Sequence, residues 1–156
     1  MGIIAPKNRS FASRVLIAFL LIVFSPFLVA AVLVHFLWGT ILYFSLWLAW
    51  RRQIVIYVYS DSPIWKEYIE REILPYIKDH AVILNWSERR NWKRSLAVLA
   101  FRYFGGYRNY NPIAIVFHPF RLVKTYRFFK AFQEFKRGDS RGVEELKREL
   151  FRDLNI

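Results

Sequence analysis

The sequence predicts a small α/β domain, a mixed four-stranded sheet with flanking helices, preceded by an N-terminal transmembrane or re-entrant helical segment. Three observations lead there. Residues 15–50 run for 36 positions without a charged side chain. The chain that follows alternates short β-branched and aromatic runs with stretches of helical spacing. Residues 51–156 hold 21 Lys and Arg against 12 Asp and Glu, a net +9 over 106 residues, which is long enough for one domain with its own core.

Insertion of residues 15–50 is favoured because apolar side chains leave water while a helix keeps its backbone hydrogen bonds internal. A secretory signal would have a core of about 7–15 residues; this one is far longer and ends in Trp47, Trp50, Arg51 and Arg52. As one helix it would extend roughly 54 Å, against a hydrocarbon core of about 30 Å. A break is therefore expected, first at Ser25-Pro26, where proline removes a helix donor, and next around His35 and Gly39-Thr40. Lys7, Arg9 and Arg14 precede the segment and Arg51 and Arg52 follow it, which favours both ends on the cytoplasmic side. The expectation is a hairpin or re-entrant pair, with a single kinked span over 27–50 as the alternative. Trp38, Tyr43, Trp47 and Trp50 then lie near lipid headgroups. The predicted organisation is a basic tail over 1–14, a membrane segment over 15–50 and a domain over 51–156, at the cell membrane and on its cytoplasmic side.

Within the domain, 53–60 (QIVIYVYS) reads as a buried strand, and Asp61-Ser62-Pro63 as a turn in which Ser62 caps a helix running to about Asp79. Ile64, Tyr68, Ile69, Ile73 and Ile77 form that helix's apolar stripe. A second strand is expected over 81–86 and a second helix over 87–104, with Trp92, Leu96, Leu99 and Tyr103 on one side and Gly105-Gly106 ending it. Residues 113–117 (IAIVF) give a third strand, His118-Pro119 a turn, and 122–127 a fourth strand paired as a hairpin. Helices over 129–136 and 140–154 close the chain, the last with an apolar stripe of Val143, Leu146, Leu150 and Leu154. Two βα steps followed by a hairpin and a covering helix imply helices on both faces of the sheet.

This order, with a strand running into Ser62-Pro63-Ile64-Trp65-Lys66 at a helix start and Asn111-Pro112 just before 113–117, resembles the thioredoxin-like fold over roughly residues 53–156. The resemblance implies a redox CxxC at the first place and a cis-proline facing it at the second. Ser62 and Trp65 stand where the two cysteines would be, and the chain has no cysteine at all. Thiol–disulfide exchange is excluded, and so are thiol nucleophiles and cysteine-ligated metals. The resemblance is therefore to a redox-inactive member, with Ser62, Trp65 and Pro112 as a degenerate site.

No catalytic set emerges from the remaining residues. Ser62 as a nucleophile would need a base, and the histidines are His35, His80 and His118, none spaced for a helix or turn metal site. No metal and no cofactor are expected. Gly105-Gly106 follows a helix, whereas a phosphate cradle follows a strand. The unusual feature is charge: from 89 to 130 there are ten basic residues, Arg89, Arg90, Lys93, Arg94, Arg102, Arg108, Arg121, Lys124, Arg127 and Lys130, and no Asp or Glu. Interleaved aromatics make the stretch amphipathic. The expected neighbours are anionic membrane lipid and other membrane protein subunits; nucleic acid is not expected. The expected role is a non-enzymatic accessory or assembly subunit docked on a larger membrane complex. The alternatives are an enzyme acting on a lipid-linked or phosphorylated substrate, and a chaperone-like binder using Ser62, Trp65 and Pro112 to grip peptide.

Overall fold

The computed structural model describes residues 11–49, 55–106, 111–118 and 121–156, with side chains from residue 13 onward. The chain divides into two compact units, Met1–Thr40 and Ile41–Ile156.

The apolar segment is one uninterrupted helix, α1 (Phe11–Ala49), with Pro26 inside it. The hairpin expected from the flanking charges is thus corrected: nothing reverses at Ser25-Pro26 or at Gly39-Thr40. The reason is local chemistry. Pro26 has no N–H to give the carbonyl of Ile22, four residues earlier, and the Ser25 hydroxyl donates to that carbonyl instead, at 3.1 Å. The Thr40 hydroxyl likewise donates to the Phe36 carbonyl at 3.0 Å. Every residue from Arg14 to Trp38 is exposed, and Ser13–Ala49 is long and apolar enough to cross a membrane.

The second unit is built on a mixed sheet of β1 (Val55–Tyr59), β2 (Ala81–Asn85), β3 (Ile113–Val116) and β4 (Lys124–Arg127), in the order β2-β1-β3-β4. β1 pairs in parallel with β2, Val55 opposite Ala81 and Tyr59 opposite Asn85. β3 is antiparallel to both β1 and β4. β1 lies inside the sheet and all five of its residues are buried, which is why its sequence is an apolar run with no polar alternate.

Alternation along the strands sends side chains to two cores. One holds Val55, Tyr57, Ala114, Val116 and Tyr126, covered by α2 (Lys66–Glu72), α3 (Leu74–Ile77), α5 (Phe129–Phe135) and α6 (Arg141–Leu154). The other holds Ile56, Val58, Ile113 and Ile115, covered by α4 (Leu96–Phe104), by Trp86 and Trp92, and by Leu46 and Tyr43 from the last turns of α1. Leu46 is 1% exposed. Helices do flank both faces, and one of the covering pieces is the end of the apolar helix.

Several element boundaries differ from expectation. The helix expected from Pro63 to Asp79 is two, because Pro75 has no N–H for the carbonyl of Arg71; α3 restarts with Pro75 in its first turn. The helix expected over 87–104 is a 3-10 helix, Trp86–Asn91, an extended link, and then α4. Two caps cause the split: the Asn85 side chain accepts from the Ser87 N–H at 2.9 Å, and the Ser95 hydroxyl from the Val98 N–H at 3.3 Å. The buried positions of α4 are consequently Ala97, Val98, Ala100 and Phe101 rather than the stripe through Leu99 and Tyr103. The helix ends at Gly105-Gly106 as expected, with Gly106 at φ +80°, where any Cβ would be strained. The Asn111-Pro112 peptide is cis.

Candidate functional site

The strand register places Ser62, Trp65 and Pro112, the residues of the expected degenerate site, toward one end of the sheet. β1 and β3 run antiparallel with Val58 opposite Ile113, so Pro112 lies beside the C-terminal end of β1, from which the loop to Ser62 and Trp65 departs. Ser62 does not cap α2 with its side chain. Its hydroxyl accepts from the Ile64 N–H at 3.3 Å, and its carbonyl accepts from the Trp65 and Lys66 N–H groups at 3.3 and 3.0 Å, so it shapes the turn before the helix. Trp65, at φ −129°, is bent out of helical geometry there. Its ring is 7% exposed and packs on Phe129 and Phe132, while its indole N–H donates to the Ser60 hydroxyl at 3.3 Å. Pro112 is buried beside Asn111, whose side-chain carbonyl is also buried and has no hydrogen-bond partner among the described residues.

A polar network closes the same end. The Asp61 carboxylate meets Lys66 Nζ at 2.7 Å and accepts from the Asn85 side-chain amide at 3.1 Å, while the Asp61 N–H donates to the Ser87 hydroxyl at 3.0 Å. The hydrogen bond from Lys66, helped by that from Asn85, holds the Asp61 carboxyl below its ordinary range. Trp92 donates its indole N–H to the Asn85 carbonyl at 3.0 Å. Every member is engaged within the chain, and what the network does is join the ends of β1 and β2 to α2 and the link before α4.

The basic residues do not form one patch. Arg89 and Arg90 lie in the 3-10 helix, Lys93 and Arg94 in the link that follows, and Arg102 on α4. All five are exposed, and no ion pair among the described residues involves them. Arg89 lies over the Trp86 ring, 5.1 Å from its centre. These elements cover the same sheet face as the end of α1, and Glu88 is the one acidic residue between 86 and 104. Arg127 reaches back from β4 to the Gly105 carbonyl at 3.0 Å. Lys124 and Lys130 belong to the opposite side: Lys124 stands over the Tyr126 ring and 3.7 Å from Asp153, and Lys130 is exposed on α5. Arg121 is exposed between β3 and β4. Most acidic residues, including Glu67, Glu70, Glu72, Glu144, Glu145 and Glu149, lie on α2 and α6 over the other face. Arg108 falls outside the described residues, as do Trp50, Arg51 and Arg52 of the expected membrane interface; Trp47 is exposed near the end of α1.

One constellation was not visible in the sequence. His118, read there as a turn residue, has Nε2 buried 3.4 Å from Asp153 Oδ2 at the end of α6, and its carbonyl accepts the Tyr43 hydroxyl of α1. Thirty-five positions separate His118 from Asp153, and no spacing rule pairs them; only the packing of α6 on the sheet does. No group of three His, Cys, Asp or Glu among the described residues is arranged to hold a metal ion.

No family model, no curated protein and no solved structure matches this chain.

Proposed function

We propose that this chain is a membrane-anchored, non-enzymatic accessory or assembly subunit, held by α1 and turned with its Arg89–Arg94 and Arg102 face toward anionic lipid. One observation carries the reading: Arg89, Arg90, Lys93, Arg94 and Arg102, exposed and in no ion pair among the described residues, come from the elements that cover the same sheet face as the last turns of α1. Each Lys or Arg near an anionic leaflet contributes on the order of 1 kcal/mol, within a Debye length of about 8–10 Å. The domain is assigned to the cytoplasmic side because Arg51 and Arg52 adjoin the helix on that side. We also read the second unit as a redox-inactive thioredoxin-like module, supported by the β2-β1-β3-β4 order with β3 antiparallel and by Pro112 immediately before β3.

The test uses the full chain in nanodiscs of phosphatidylcholine with and without phosphatidylglycerol, at low salt, following amide exchange in the 3-10 helix and α4. Exchange there should slow in the anionic discs, and charge reversal at Arg89, Arg90, Lys93 and Arg94 should abolish the difference. Equal exchange in both discs for the unaltered chain would defeat the lipid reading. The subunit reading requires co-purification at fixed ratio with other membrane proteins.

A further inference from the structure

We propose that Leu122, on the connection between β3 and β4, is a second membrane contact that enters the headgroup–acyl boundary of the bilayer beside the end of α1. The proposal rests on reading α1 as a membrane span.

Leu122 is 94% exposed, more than any other large hydrophobic side chain among the described residues. A solitary exposed leucine needs no explanation by itself; the position of this one supplies it. The Tyr43 hydroxyl of α1 donates to the His118 carbonyl and, at 3.3 Å, to the Arg121 carbonyl, so the connection is fastened to the helix immediately before Leu122. At that level of α1, Phe44, Trp47 and Leu48 are exposed as well. Tyrosine and tryptophan are the residues that favour the membrane–water boundary. Arg121 directly precedes the leucine and is exposed, an arrangement that lets a cationic head meet lipid phosphate while an apolar side chain reaches the acyl region. The exposed Phe44, Trp47 and Leu48 in the same unit, together with the adjoining Arg121, favour lipid over a protein partner.

The chain has no cysteine, so single-cysteine variants carry one probe each. Leu122→Cys, Ala31→Cys and Glu145→Cys variants of the full chain are labelled with an environment-sensitive fluorophore in nanodiscs of phosphatidylcholine and phosphatidylglycerol. The probe at 122 should shift to the blue, lose quenching by aqueous iodide and gain quenching by nitroxides set shallow on the lipid chains. The probe at 31 should respond to deep nitroxides, and that at 145, exposed on α6, to iodide. Iodide quenching at 122 with a bilayer-embedded probe at 31 overturns the proposal and leaves the anchor intact. Shielding at 122 from both iodide and lipid nitroxides means that another protein surface covers it, and also overturns the proposal. Iodide quenching at 31 removes the span itself.

Discussion

Trp65 is a structural pin. Its ring fills space between Phe129 and Phe132, and its one polar atom is spent on Ser60. Trp65→Ala should lower the unfolding free energy by about 3–5 kcal/mol, measured by denaturant titration of the full chain in detergent; a peptide-gripping residue would instead lose binding at unchanged stability. Asp61 gives a pH signature. Its folded carboxyl titrates below the ordinary value of 3.8, so it contributes stability above that value and loses it as pH falls through the lowered one. Asp61→Asn should therefore flatten the acid limb of the stability profile, and an unchanged limb would show that the Lys66 pair adds nothing. At this scale the sequence was legible in what it lacked, since a chain without cysteine cannot carry out thiol–disulfide exchange. It was not legible for His118, whose partner is supplied by a helix far along the chain.

Elements were read well where one interaction dominates. β1 is buried on both faces, so its apolar run could be nothing else. The boundaries went wrong where a single side chain outvotes periodicity: Pro75 interrupts the α2–α3 stretch, and Ser95 caps α4 so that it starts at Leu96 rather than at 87. Both signals were in plain view, a helix-interior proline and a serine ahead of an apolar turn. Ser95→Ala should cost about 1 kcal/mol, read as a lower melting temperature. In α1 the same competition ran the other way. Ser25 restores the bond that Pro26 removes, and the expected turn does not form.

For the whole molecule, an uninterrupted α1 changes the topology that follows from the charges. If it spans a membrane once, tags at Met1 and at Ile156 should respond oppositely to an external protease; joint protection or joint cleavage would contradict a single crossing. The ten basic residues of 89–130 were evident as a sum, but the separation of Arg89, Arg90, Lys93, Arg94 and Arg102 from Lys124 and Lys130 onto two sides of the sheet was not, because the packing of each element decides which side it reaches. Length is partly reconciled as well. From Val15 to Thr40 a helix measures about 39 Å at 1.5 Å per residue, and the turns beyond it belong to the second unit.

That division bears on how the molecule can be dissected or reused. Leu42 and Leu46 are 2% and 1% exposed, so a fragment begun at Arg51, where the greasy stretch stops by composition, would uncover the part of the sheet face that Leu46 and Tyr43 pack against. It would aggregate, or require its missing turns as an added peptide. A cut before Ile41 with polar replacements at Phe44, Trp47 and Leu48 is the fragment with a sealed interior. The anchor here is no interchangeable handle, because the portable piece of this protein begins inside its own helix.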